Sequence, residues 1–96
     1  FMDVFGTGDH ACVKIGDDSF AKDGIENGDF VVVRKQETCR DGDSVLALVN
    51  GRDATIRRYF TDAKGVRLEP LTSSRKAVHS PNVMVIGVVV GVVRKL

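Results

Sequence analysis

The chain has 96 residues, enough for one domain with its own core and too few for two. Its formal net charge of +1 excludes a nucleic-acid binder that acts through a strongly basic surface. The sequence is rich in valine and has 10 glycines against 2 prolines, which favours strands joined by tight turns.

The chain begins with a lead-in over residues 1–9, in which two glycines predict turns, and a strand is predicted over residues 10–15. Cys12 and Cys39 lack metal-ligand or disulfide-framework spacing, so we predict two free thiols in a reducing cytoplasm. The longest apolar run, Val83 to Val93, is β-branched and too short for a membrane helix. No membrane partner is therefore predicted.

Residues 16–29 form the one stretch without the pattern of a strand. Asp18 is a candidate N-cap, residues 19–22 a single helical turn, and Gly24 the glycine that ends it. Backbone N–H groups at a helix start point outward without intrahelical partners. A serine there, Ser19, can present its hydroxyl beside groups able to stabilise an oxyanion.

Apolar runs and alternation predict further strands, and no segment has a helical period. These strands span residues 30–33, 44–49, 54–60, 66–70 and 83–96. Asn50-Gly51 and residues 62–65 predict hairpin turns, residues 71–82 a loop with a short extended piece near 77–78, and Gly87 and Gly91 breaks or bulges in the last strand. The predicted class is mainly β with one or two short helical turns.

Side chains on the strand over residues 54–60 should alternate between two faces. Thr55, Arg57 and Tyr59 share one face. Ala54, Ile56, Arg58 and Phe60 share the other. The tandem arginines therefore point in opposite directions.

Several segments, in this order and spacing, resemble the LexA-type repressors. They are residues 16–20, 23–25, 27–33, 50–60, 68–70 and 86–96. The first three are similar to that family's G-D-S-M, a-G-I and d-G-D motifs, the last of which leads into a valine-rich strand. Residues 50–60 resemble the segment around the family's catalytic lysine. The resemblance implies a small, coiled, multi-sheet and partly barrel-like β fold, shared with bacterial signal peptidases.

By this resemblance, residues 1–96 form the C-terminal dimerisation and self-cleavage domain of an SOS transcriptional repressor. The family's N-terminal domain, which binds operator DNA, is absent from this chain. The implied partners are a second copy in a homodimer and RecA filaments, in the cytoplasm and with no cofactor. The alternative is an active serine–lysine autopeptidase of the UmuD or phage-repressor type.

The resemblance also implies a serine–lysine dyad, in which a desolvated neutral lysine removes the proton of the attacking serine. Ser19 falls on the nucleophile position, and Asp18 on that of a backbone N–H in the oxyanion hole. Arg57 falls on the lysine position. Arginine is always protonated and cannot act as a general base, so we expect a cleavage-defective domain. The chain is also expected to begin after the family's small-residue cleavage pair.

Other interpretations of these residues stay open. Ser19 is alternatively an ordinary serine at a turn, and Arg57 an ordinary strand arginine. A different base would have to come from the lysines at 22, 35 and 64, none of which has an apolar setting. His10 and His79 are far apart without carboxylate neighbours, and the aspartates of residues 17–29 suit turns and caps, so no metal site is predicted.

The last strand is also the predicted dimer interface. The valines assigned to it are Val88, Val89, Val90, Val92 and Val93. The resemblance implies this role, and a physical argument agrees with it. A final strand that is apolar on both faces would leave an exposed apolar edge in a monomer.

Overall fold

A computed structural model describes residues 2–5, 8–71, 78–80 and 82–96. Within these residues the secondary structure is eight β-strands and one short 3-10 helix, which confirms the mainly β prediction. The strands are β1 (Met2–Phe5), β2 (His10–Ile15), β3 (Phe30–Lys35), β4 (Ser44–Val49), β5 (Asp53–Asp62), β6 (Gly65–Glu69), β7 (Val78–Ser80) and β8 (Val83–Val93). The 3-10 helix spans Ala21–Asp23.

All eight strands belong to one sheet, in the order β1-β2-β3-β8-β4-β5-β6-β7. The neighbouring strands pair antiparallel. The last strand of the chain therefore lies in the middle of the sheet, between β3 and β4. The expectation that it leaves an exposed strand edge is wrong, because both of its edges are hydrogen-bonded.

Local turn chemistry explains most of the predicted strand boundaries. Asn50 and Gly51 both have positive φ, 55° and 69°, as a two-residue turn between β4 and β5 requires. The lead-in was expected to be turns, but Met2–Phe5 is a strand whose partner is β2. Four residues are too few to show a period-two pattern, so this strand could not be predicted from the sequence. It forms through its pairing with β2. The predicted extended piece is β7; residue 77 lies outside the described residues.

Two bulges lie in β8, each beside a predicted glycine. Opposite β3, the register passes from Gly91 directly to Val89. Opposite β4, it passes from Gly87 directly to Val85. A Cβ on Gly87 would lie only 2.6 Å from the carbonyl oxygen of Arg34, so the close approach of β3 and β8 requires glycine there.

Two core clusters lie around this sheet. The first contains Ala11, Val13, Ile15, Ile25, Val31, Val33, Leu46 and Ile56. The second contains Val45, Ala47 and Val85. β4 is buried on both faces, because Leu46 joins the first cluster while its two neighbours join the second. On β5, Ile56 belongs to the first cluster and Tyr59 packs on the second, which confirms the predicted alternation.

We expect Gly87→Ala to destabilise the fold by about 1–3 kcal/mol, because the added methyl would displace backbone. Gly91→Ala is the matched control, since nothing lies within 4 Å of a Cβ at that position. Urea unfolding of both variants would measure the difference. Equal free energies of unfolding would contradict the assigned contact.

Candidate active site

The turn that carries Ser19 differs in detail from the prediction. The backbone N–H of Ser19 donates to Oδ1 of Asp17 at 3.0 Å. The 3-10 helix begins two residues later than predicted, and Asp18 contributes its carbonyl, which accepts the N–H of Ala21 at 3.1 Å. The helix ends as predicted at Gly24, whose φ is 83°. The carboxylate of Asp17 thus satisfies the Ser19 N–H within a local turn.

Apolar neighbours hold this turn against the sheet while Ser19 itself is exposed. Phe20 packs on the first core cluster. Ile25 is buried in the same cluster, after the helix has ended. The backbone N–H of Asp18, predicted to serve the oxyanion hole, donates to no acceptor in the described parts of the chain. Ser19 is therefore displayed to solvent on a turn that its neighbours fix.

Asp29, at the end of the turn, is buried at 2% exposure and paired with Arg94. Nε and Nη2 of Arg94 donate to its two carboxylate oxygens at 2.9 and 2.8 Å. The backbone N–H of Glu26 donates to Oδ2 at 2.8 Å. These bonds, that of Arg94 foremost, lower the pKa of Asp29 to about 2. Nη2 of Arg94 also donates to the carbonyl of Gly24 at 3.0 Å, which joins the end of β8 to the turn.

Sequence reasoning assigned Asp29 to the turn and missed its partner. The two residues flank a register pair, because Phe30 lies opposite Val93 across β3 and β8. An acid directly before one strand and a base directly after another is a usable signal. This signal could predict the ion pair only if the pairing of β3 with β8 were already known.

Arg57 lies on β5 opposite Val45 and is half-buried. Its Nη1 is buried and has no hydrogen-bond partner among the described residues. Among the described residues no hydrogen bond or ion pair joins Arg57 to Ser19. Phe20, beside the serine, packs on the first core cluster, whereas Tyr59, on the face of Arg57, packs on the second. The described contacts thus do not bring the two side chains together, and their catalytic roles stay predictions.

The neighbouring arginine, Arg58, contacts an aromatic ring. The guanidinium carbon of Arg58 lies 5.1 Å from the ring centroid of Phe60, which belongs to the same face of β5. Arg67, on β6, lies over the same ring at 4.9 Å. The tandem arginines therefore have separate environments. Arg58 contacts an aromatic ring, whereas Arg57 has a buried donor with no acceptor in the described parts of the chain.

The other candidate groups divide between confirmed and wrong predictions. The lysines at 22, 35 and 64 are exposed, as expected. The prediction that His79 lacks a carboxylate neighbour is wrong, because its Nε2 lies 2.9 Å from Oδ2 of Asp62. That bond, with the backbone N–H of Lys64, lowers the pKa of Asp62 to about 2.

Three further observations concern the described residues as a set. They contain no group of three or more histidine, cysteine or acidic side chains able to hold a metal. Both cysteines are free thiols. None of the helices is long and apolar enough to cross a membrane.

The valines assigned to the dimer interface have unequal exposure. Val88 and Val89 are half-buried against the second and the first core cluster, respectively. Val90, Val92 and Val93 are exposed at 46%, 46% and 55%, and Leu96 is also exposed. We call these four exposed residues the β8 patch. Val90, Val92 and Val93 lie toward the end of β8, and Leu96 lies beyond it. Val92 and Val93 are adjacent residues of the strand and therefore face opposite sides of the sheet.

Comparison with known proteins places these features in a family. The profile of the Peptidase S24-like family matches residues 2–90. A LexA repressor from Erythrobacter litoralis is 38% identical over 94 residues, covering 96% of this chain and 40% of the relative. One from Pelotomaculum thermopropionicum is 36% identical over 91 residues, covering 95% and 44%. One from Bacillus cereus strain Q1 is 39% identical over 84 residues, covering 88% and 41%. The chain thus spans about two fifths of the length of these relatives.

The pair of Asp29 and Arg94 predicts an acid-dependent stability. The pKa of Asp29 is about 2 in the fold and about 3.9 in an unfolded chain. Its contribution is therefore complete above pH about 4 and is lost as pH falls toward about 2. We expect Asp29→Asn to be less stable at neutral pH and to lack this part of the pH dependence.

Urea unfolding at intervals between pH about 2 and 6 measures this slope. Glu26→Gln is the matched control, because Glu26 contacts the same guanidinium at 3.1 Å from an exposed position. Parallel pH profiles for wild type and Asp29→Asn would contradict the assignment.

Proposed function

Because the chain belongs to the Peptidase S24-like family, we propose that it is the C-terminal dimerisation and regulatory domain of a LexA-like SOS repressor. We further propose that it is defective in self-cleavage. The observation that carries the second proposal is Arg57 at the position of the base. Ser19 is the proposed nucleophile, and the backbone N–H of Asp18 the proposed oxyanion donor.

A base in this mechanism must be neutral before it can accept the serine proton. Desolvation favours the neutral form of a lysine, but a guanidinium stays protonated at every pH at which proteins are folded. The buried Nη1 of Arg57 therefore remains a donor. At the position of the base, it can bind an oxygen atom but cannot remove a proton.

The environment of Ser19 supports the same proposal. Its backbone N–H already donates to the carboxylate of Asp17, so an oxyanion formed at the serine would compete for this donor. Oxyanion stabilisation is often the largest single contribution to acyl transfer, and its weakening would slow cleavage further.

The repressor function needs the whole protein. The relatives named as LexA repressors extend well beyond the matched segment. We propose that operator DNA is bound by a part of the protein outside the described domain, that RecA filaments are the regulatory partner, and that the protein acts in the cytoplasm. Dimerisation would use the β8 patch, whose apolar side chains are exposed at and just beyond the end of β8.

We expect a chain extended upstream by its natural sequence to stay intact during alkaline incubation. Alkaline pH deprotonates lysine and not arginine, so Arg57→Lys should raise self-cleavage by about 10³-fold or more. Gel electrophoresis of samples taken over time measures the fragments.

Arg58→Lys is the matched control, because it changes the neighbouring arginine on the opposite face and should leave the chain intact. Ser19→Ala combined with Arg57→Lys should abolish any gained cleavage. Cleavage of the wild type that Ser19→Ala abolishes would refute the defect and support the active autopeptidase instead. No gain from Arg57→Lys would refute the assignment of Arg57.

We expect the 96-residue domain to sediment as a dimer at micromolar concentration. Val92→Glu, in the β8 patch, should raise the dimer dissociation constant by about 30-fold or more, since it buries unpaired charge in the interface. Met84→Glu is the control, because Met84 is 58% exposed at the other end of β8. A monomeric wild type, or equal effects of both substitutions, would contradict the proposed interface.

A further inference from the structure

Four steps of the chain join an aspartate or an asparagine to a glycine. They are Asp23-Gly24, Asn27-Gly28, Asp41-Gly42 and Asn50-Gly51. Such a step favours ring closure, because glycine has no Cβ to keep its backbone nitrogen away from the preceding side-chain carbonyl. The two asparagines are the more reactive, since a neutral amide is a better electrophile than an ionised carboxylate, and asparagine is a thermolabile residue.

Three of these glycines have a backbone N–H that a carbonyl holds. The donors and acceptors, with their N···O distances, are Gly24 to Ala21 at 3.1 Å, Gly28 to Ile15 at 2.8 Å and Gly42 to Tyr59 at 2.7 Å. The N–H of Gly51 has no acceptor within the part of the chain that the structure describes. In that turn the hydrogen bond runs instead from the N–H of Arg52 to the carbonyl of Val49, at 3.1 Å.

Asn27 and Asn50 therefore form a matched pair. Both are exposed, and each precedes an exposed glycine. Ile15 accepts the N–H of Gly28 and donates its own N–H to the carbonyl of Asp29 at 2.9 Å, so two bonds tie this turn to β2. The nitrogen of Gly28 can approach the side chain of Asn27 only after its bond has opened. The nitrogen of Gly51 needs no such opening.

We propose that Asn50 is a site of spontaneous deamidation and that the fold protects Asn27 from the same reaction. Hydroxide removes the proton of the Gly51 nitrogen, which attacks Cγ of Asn50 and forms a C–N bond. The amide nitrogen takes a proton from water and leaves as ammonia, and a cyclic imide remains. Water then hydrolyses the imide. Hydrolysis at Cγ gives aspartate, and hydrolysis at the backbone carbonyl carbon gives isoaspartate.

The two products differ in their effect on the hairpin of β4 and β5. Aspartate tolerates the left-handed backbone of position 50, where φ is 55°. Isoaspartate adds a methylene to the main chain, within a two-residue turn that sets the register of both strands. Arg57 lies on β5 opposite Val45, so the reaction alters the strand that carries the proposed base position. The site itself does not depend on the proposed function.

The test is incubation of the 96-residue chain in mildly alkaline buffer, with peptide mapping by mass spectrometry over time. We expect Asn50 to convert about fivefold faster than Asn27 or more, the factor that opening one hydrogen bond supplies. In the urea-unfolded chain the two rates should agree within about twofold, because both asparagines precede glycine and the protection is gone.

Equal rates in the folded chain, or faster conversion of Asn27, would overturn the proposal. A difference that persists in urea would also overturn it, because the local sequence and not the fold would then set the rates. This experiment uses no variant, so it does not depend on whether an altered chain folds.

Asn50→Asp separates the effects of the two products. We expect this variant to keep the urea midpoint of the wild type, whereas the isoaspartate form, isolated by chromatography, should unfold at a lower urea concentration. If Asn50→Asp does not fold, the unmodified chain is the reference for the isoaspartate form. An isoaspartate form with the midpoint of its reference would overturn the assigned effect on the hairpin.

Discussion

The bidentate pair of Asp29 and Arg94 joins the two features on which the proposed function depends. Arg94 directly follows β8, and Asp29 ends the turn that carries Ser19. The carboxylate is almost fully buried, so loss of the Arg94 guanidinium would leave the Asp29 charge uncompensated. Through the carbonyl of Gly24, the same guanidinium also fixes the glycine at which the 3-10 helix ends. The position of the serine turn is thus tied to the last strand of the chain.

This connection matters because β8 is central in the sheet. A strand near the C-terminus joins β3 and β4, so the sheet is incomplete until nearly the whole chain is available. One of its two bulges lies opposite β3 and the other opposite β4, and Gly87 permits the close contact with Arg34. The same strand carries the β8 patch. A partner bound there would contact the strand whose end holds the serine turn.

The sequence predicted features that are encoded by neighbouring residues. The Asn50-Gly51 turn, the boundaries of β2 and β4 and the helix stop at Gly24 each follow from turn chemistry or a local apolar pattern. Features that depend on distant residues were missed or misread. β1 is too short to have a period and exists through its pairing with β2. The apolar character of β8 indicated an exposed edge, but burial between two strands and an exposed face give the same pattern.

The residues of the candidate site also divide into those that the local sequence indicates and those whose partners are distant in the chain. A motif singled out Ser19 and Arg57, whose catalytic roles stay predictions, and alternation correctly separated Arg57 from Arg58. The engagement of the Ser19 N–H by Asp17 could not be predicted, because an aspartate two residues before a serine fits an N-cap as well as it fits a local turn. The partners of Asp29 and His79 come from other strands. Composition therefore indicates which groups are present, while sheet pairing decides which of them meet.

Arginine at the proposed base position reverses the effect of desolvation. For a lysine, burial lowers the pKa and yields the neutral amine that the mechanism needs. The free energy spent on desolvating the lysine therefore contributes to its reactivity as a base. An arginine keeps its charge, and Nη1 of Arg57 is buried without an acceptor in the part of the chain that the structure describes. Only an acceptor that binds this donor can offset the free-energy cost of desolvating it. At the proposed base position, an arginine can therefore bind an oxygen atom but cannot accept the proton of the proposed nucleophile.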